Sequence, residues 1–113
     1  MKTRDVLETT EAEVFVEGDL DRELKGAISG DLLSFIMAEA QEGWLWITIH
    51  THINAAAVAV LKEVPFILAT SGRTPDKALT ERCATEGITL AVTGFSSYDA
   101  AGVLWEAGLK RPS

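Results

Sequence analysis

Three short apolar runs recur about every 22 residues: Trp44 to Ile49, Phe66 to Thr70 and Ile88 to Val92. Each is too short for a helix and rich in β-branched and aromatic residues, so each reads as a strand. A polar loop and then a stretch of helical pattern follow every one of them. Strand, crossover helix and strand in one sheet require parallel pairing with right-handed connections. The runs are apolar throughout rather than alternating, as in strands covered on both faces. This spacing predicts an α/β domain.

The N-terminal third adds to that frame. Thr3 to Thr10 reads as a short helix, with Thr3 as a candidate N-cap and Asp5 placed for the helix dipole. Glu13 to Glu17 alternates acid and apolar groups as a strand does, and Gly18 ends it before the acidic run 19–23. Lys25 to Ser29 supplies another strand. Asp31 is then expected to cap a helix over Leu32 to Gln41 that stops at Gly43. The later helices are expected over 53–63, from Pro75 to Glu86 with Thr74 as cap and Gly87 as the left-handed stop, and over 98–107. The fold class is three-layer α/β/α around a mostly parallel sheet of about five strands. All 113 residues form a single domain with no internal linker.

The stretch Ala55 to Leu61 is the longest unbroken apolar run and leaves its helix almost no polar face. It falls far below the ~18 residues of a membrane span. The start MKTRDVLETT lacks the apolar segment of a signal peptide, so a cytoplasmic protein is expected. A helix this apolar must be covered on several sides, and a second subunit is a natural cover. A homodimer using this helix or its neighbour is therefore expected.

Residues 1–56 hold eleven Asp/Glu against four Lys/Arg, whereas 57–113 hold six of each. An acidic half repels phosphate backbones and anionic lipid, which argues against nucleic-acid and membrane-surface roles. The pair Lys110-Arg111 beside Pro112 is too short to reverse that. The one cysteine, Cys83, lies within a helical pattern and reads as a packing residue. Trp44, Trp46 and Trp105 read as core or dimer anchors.

Loops after parallel strands emerge at one sheet edge. Here they gather His50, Thr51, His52 and Asn54 from the first, Ser71, Gly72 and Arg73 from the second, and Thr93, Ser96 and Ser97 from the third. Helix N-termini and small hydroxyl residues in one place suit a phosphate, a nucleotide or a carboxylate. The plainer reading is that Thr, Ser and Asn cap helices. His50 and His52 share a strand face, yet no third metal ligand is evident, so neither a metal site nor a cofactor is expected. No Walker phosphate loop or Gly-x-Ser-x-Gly motif occurs. A triad of His52, Asp31 and Ser71 can be drawn only on paper.

The order and spacing of these loops resemble the DRTGG domain family. Thr70-Ser71-Gly72 matches its Thr-Gly-Gly, and Pro75-Asp76 follows at the expected distance. Thr51-His52 stands where the family has Asp-Arg, and Ser96-Ser97-Tyr98 with Ala101 stands on its final Asp-Thr-Tyr/Phe stretch. Asp21-Arg22-Glu23 and Gly30-Asp31-Leu32-Leu33 look like the free-standing members, so the likeness spans nearly the whole chain. The resemblance implies a fold similar to the N-terminal domain of HPr kinase and to the regulatory region of phosphotransacetylase. It also implies dimerisation and a regulatory or sensory, non-catalytic role. A larger regulatory or redox protein, such as a hydrogenase-related system, is the partner it suggests. Without the Asp-Arg pair, a fixed positive charge and its carboxylate are missing from the first loop. A protein-interaction module without a small ligand, and a small enzyme, are the alternative readings.

Overall fold

The third strand carries the side chains of both cores. The computed structural model describes residues 1–110, so the Arg111-Pro112 pair lies outside the described residues. In β3 (Trp44–Thr48) every residue is buried. Trp44 and Trp46 pack with one hydrophobic cluster, and Leu45 and Ile47 with the other. Alternation of side chains across a strand makes this division, and apolar residues at all the positions allow it.

Around β3 the order is α1 (Thr3–Thr9), β1 (Glu13–Val16), β2 (Gly26–Ser29), α2 (Leu33–Glu39), β3, α3 (Asn54–Leu61), β4 (Phe66–Ala69), α4 (Lys77–Glu86), β5 (Thr89–Val92) and α5 (Ser97–Glu106). The fold is thus α/β, with five helices among the described residues and a mixed, mostly parallel sheet of five strands ordered β1-β5-β4-β3-β2. β2, β3, β4 and β5 run parallel in unbroken register, whereas β1 joins β5 antiparallel with an irregularity between Val14 and Val16. Helices α2, α3 and α4 share one core, and α1 and α5 share the other. Three layers result, with three helices on one face and two on the opposite face.

The position of α3 accounts for its composition. It lies between α2 and α4 and above the sheet, so Ala55, Ala56, Val58 and Ala59 are buried within one chain. Small residues let the neighbouring helices approach. Leu61, at its end, remains 69% exposed.

Local details depart from the sequence reading in three places. Thr3 is not the cap of α1; Lys2 takes that position and donates its N–H to Asp5 Oδ2 at 2.9 Å. Asp31 does not cap α2, which starts after Leu32 without a side-chain cap. The Asp31 carboxylate is turned to the end of β3 instead. Pro75 is not the first residue of α4 either, because Asp76 is the N-cap and the helix starts at Lys77. Gly87, by contrast, ends α4 in the left-handed region at φ 71° as expected. At Gly18, φ is +61° and an added Cβ would stand 2.3 Å from Thr89 Oγ1, so this turn admits no side chain.

Candidate functional site

The chain leaves β3 through a loop that Asp31 organises. Thr48 Oγ1 and the Ile49 N–H donate to Asp31 Oδ1 at 3.0 and 2.9 Å, and the His50 N–H donates to Thr48 Oγ1 at 3.1 Å. His50 Nε2 donates to the Asp31 carbonyl, which fixes the proton on that nitrogen. Its ring lies 6.4 Å from the Trp46 ring, and Trp46 Nε1 donates to the Gly30 carbonyl at 2.9 Å. Both aromatic rings thus tie the end of β3 to the turn after β2.

A second clip joins this loop to the start of α4. The Asp76 N–H donates to the Thr51 carbonyl at 2.9 Å, and His52 Nδ1 lies 2.8 Å from Asp76 Oδ2. That use of the carboxylate explains why Asp76 does not cap its own helix. Asp76 orients the imidazole and leaves Nε2 directed away from it. Arg73 stands in the loop between β4 and α4, exposed, and its guanidinium makes no hydrogen bond or ion pair among the described residues.

Asp31, Ile49, His50, Thr51, His52 and Arg73 line one depression of about 190 Å³. It is open to solvent and smaller than the ~300 to 1,000 Å³ of pockets for drug-sized ligands. A phosphate group fits such a volume, whereas a whole nucleotide would extend beyond it. Leu32 and Ile53, 67% and 43% exposed, flank the residues of this depression in the chain. A larger depression of about 300 Å³ at the opposite end of the strands holds Glu42, Glu63 and Glu86 against Arg22, a charge balance that repels anions.

The other expected residues are engaged in the scaffold. α4 and α5 lie on opposite faces of the sheet, so a crevice could open between the loops that precede them. The Ser71 and Gly72 N–H groups close it, donating to the Phe95 and Thr93 carbonyls at 2.7 and 2.9 Å. Ser71 holds φ 60° to do so, an uncommon conformation for a residue with a Cβ. Thr93 Oγ1 donates to the Thr10 carbonyl and accepts from the Phe95 N–H. Ser96 Oγ accepts from the Asp99 N–H as the cap of α5, and Ser97 Oγ lies 2.6 Å from Thr70 Oγ1. Asn54 opens α3 and is exposed. Structure thus brings His50, Thr51, His52 and Arg73 together and adds Asp31 and Asp76.

His52 reaches an acid, but in an open depression, and no hydroxyl or thiol bonds to it among the described residues. Asp31 serves the end of β3, and Ser71 is held by its backbone, so the paper triad is not assembled. No three His, Cys, Asp or Glu side chains among the described residues are grouped as metal ligands. Cys83 is buried, and burial raises its thiol pKa to about 11. No helix among the described residues is long and apolar enough to cross a membrane.

No protein-family profile matches the chain, and no curated protein sequence matches it. Its fold is similar to a solved structure of the CBS and DRTGG domains from the regulatory region of Clostridium perfringens pyrophosphatase, complexed with the activator diadenosine tetraphosphate. The TM-score is 0.77 at 20% sequence identity, over 91% of this chain. The chain spans 45% of that structure's length, so the likeness concerns about half of the regulatory region and shows a common fold.

Proposed function

We propose that this chain is a non-catalytic regulatory domain that works as a homodimer and binds a small anion, a phosphate or the phosphate end of a nucleotide, beside His52 and Arg73. The observation that carries the reading is the unpaired Arg73 guanidinium next to an imidazole already oriented by Asp76. A free guanidinium is a fork of donors for phosphate or carboxylate oxygens. His50 and Thr51 complete the wall, while Ser71, Gly72, Thr93, Ser96 and Ser97 hold the loops in place and Asn54 stands exposed at the start of α3. The likeness to a regulatory region solved with a nucleotide activator supports the role. The small volume favours recognition of the phosphate over enclosure of a base.

Thermal shift against orthophosphate, acetyl phosphate, adenine nucleotides and diadenosine tetraphosphate tests the ligand. At a hundred times its dissociation constant a ligand stabilises the fold by roughly 2.7 kcal/mol. A saturable rise in melting temperature that Arg73→Ala abolishes is expected. No rise with any of these compounds overturns the ligand half of the reading. It would leave a protein-interaction module, for which the exposed Leu32, Phe35 and Ile53 offer an apolar surface and a larger regulatory or redox protein would be the partner.

A further inference from the structure

The two edges of the sheet are finished differently. At one edge β1 carries Glu13, an irregular register and Gly18 just beyond it, devices that discourage another strand from pairing. At the other edge β2 reads Gly-Ala-Ile-Ser, with no charge, no proline and no bulge against β3. Its helix cover is also unequal. α2, α3 and α4 line one face, but on the opposite face α5 lies over β3, and among the described residues no further helix packs on β2; Met1, whose carbonyl accepts from the Leu24 N–H at 2.9 Å, and Leu109 cover only its start. An uncharged groove of about 110 Å³ remains there, formed by Ala27, Ile28, Ile47, Ala101, Leu104 and Leu109 among others, with Trp105 at its rim. Trp105 is 56% exposed, although an indole is normally buried when it has apolar neighbours to join.

We infer that a second copy of this chain covers that groove, with β2 paired antiparallel to the partner's β2 about a twofold axis and the two Trp105 indoles filling the trough between the α5 helices. The seam rests on the homodimer reading above, and it places the contact at β2 and α5. Pairing of this kind makes one sheet of both copies and leaves the protected β1 strands outermost. Each α5 lies over β3, so the two helices would stand about three strand spacings apart, roughly 14 Å. Packed helices are ~8–10 Å apart, and the difference is space that a large side chain from each must fill.

Charge selects the same surface. The chain carries a net charge of −7, so two copies repel except where they meet through a neutral patch. None of the groove residues is charged. Glu106 closes α5 and Lys110 follows it in the chain, opposite charges that a twofold axis would set against each other; Lys110 Nζ lies 5.2 Å from the Trp105 ring centroid.

Light scattering after gel filtration at micromolar concentration tests the seam on the full chain. The wild type is expected as a dimer. Trp105→Glu and Ser29→Lys, both at exposed positions, are expected to give folded monomers or raise the dissociation constant at least tenfold. Should Trp105→Glu fail to fold, Ser29→Lys alone decides. Leu61→Glu, on the exposed end of α3, is expected to stay dimeric. A dimer unaffected by Trp105→Glu and Ser29→Lys overturns this seam and spares the homodimer reading, as does a monomer produced by Leu61→Glu alone. A monomeric wild type overturns both and leaves the β2 edge for an extended peptide of another protein.

Discussion

The Asp31 carboxylate accepts the main-chain N–H of Ile49 at 2.9 Å, although 18 residues separate the two. Through that bond the turn after β2 determines where the loop after β3 runs, and hence where His50 and His52 stand.

Replacement of Asp31 by alanine removes an acceptor shared by Thr48 Oγ1 and the Ile49 N–H. The expected cost is ~1.5 kcal/mol, the low end for bonds to a charged group because the site is open to water. Urea denaturation measures it, and hydrogen exchange at Ile49 should accelerate in the same variant. Asp31→Asn keeps one acceptor oxygen and should lose less.

The Arg73 side chain makes no bond that supports the fold, so Arg73→Ala is expected to change stability by less than ~0.5 kcal/mol. The ligand-induced rise in melting temperature should nevertheless disappear. His52→Ala should weaken it, whereas Asp76→Asn, which keeps the Asp76 N–H to the Thr51 carbonyl, should weaken it only through the orientation of the ring.

Cys83 is fully buried, and desolvation is what lifts its thiol pKa from 9.0 to about 11. A thiol reagent at about pH 8 should therefore label it only as fast as the domain opens. The raised value also has a thermodynamic sign: its contribution is complete below 9.0 and declines as pH rises toward about 11. Cys83→Ser should cost ~1–3 kcal/mol by burying a hydroxyl without a partner.

Glu42 is held below its ordinary 4.5, first by the hydrogen bond from Lys25 at 2.5 Å. Its native value is the lower one, so the unfolded chain binds the proton more readily. The stabilisation is present above 4.5 and is lost as pH falls through the native value. Asp21, lowered mainly by its hydrogen bond from Arg4, behaves alike from 3.8 downward. Both pairs are exposed, so salt should weaken the effect. Urea midpoints from about pH 6 to pH 3, with and without Lys25→Met, measure it.

The strands at 44, 66 and 88 could be read from the chain because their signal is local: a buried parallel strand is a short apolar run between turn residues. Asp31 reads as a cap because a cap partner lies three residues away, whereas its actual partners belong to another strand. Asp76, too, finds its partner in another loop, where its carboxylate serves His52 across the loop edge. Ser71 and Gly72 looked like ligand donors because sequence does not show that their N–H groups are already bound to Phe95 and Thr93. The apolar α3 suggested a dimer seam, yet nothing in its residues distinguishes a partner subunit from flanking helices of the same chain. In sequence Trp105 resembles the two buried tryptophans, and only its place beside β2 sets it apart.

β1 finds its sheet partner in the last strand of the domain, and Thr93 Oγ1 reaches back 83 residues to the Thr10 carbonyl. During synthesis the first strand therefore waits, unpaired and with Phe15 and Val16 uncovered, until β5 has emerged. Non-local pairing of this kind slows folding, because a long loop must close before any contact rewards it. The four parallel strands can assemble in order as they emerge, so the N-terminal segment should be the last to dock. A chain cut short before Thr89 would leave α1 and β1 without the surface on which they fold.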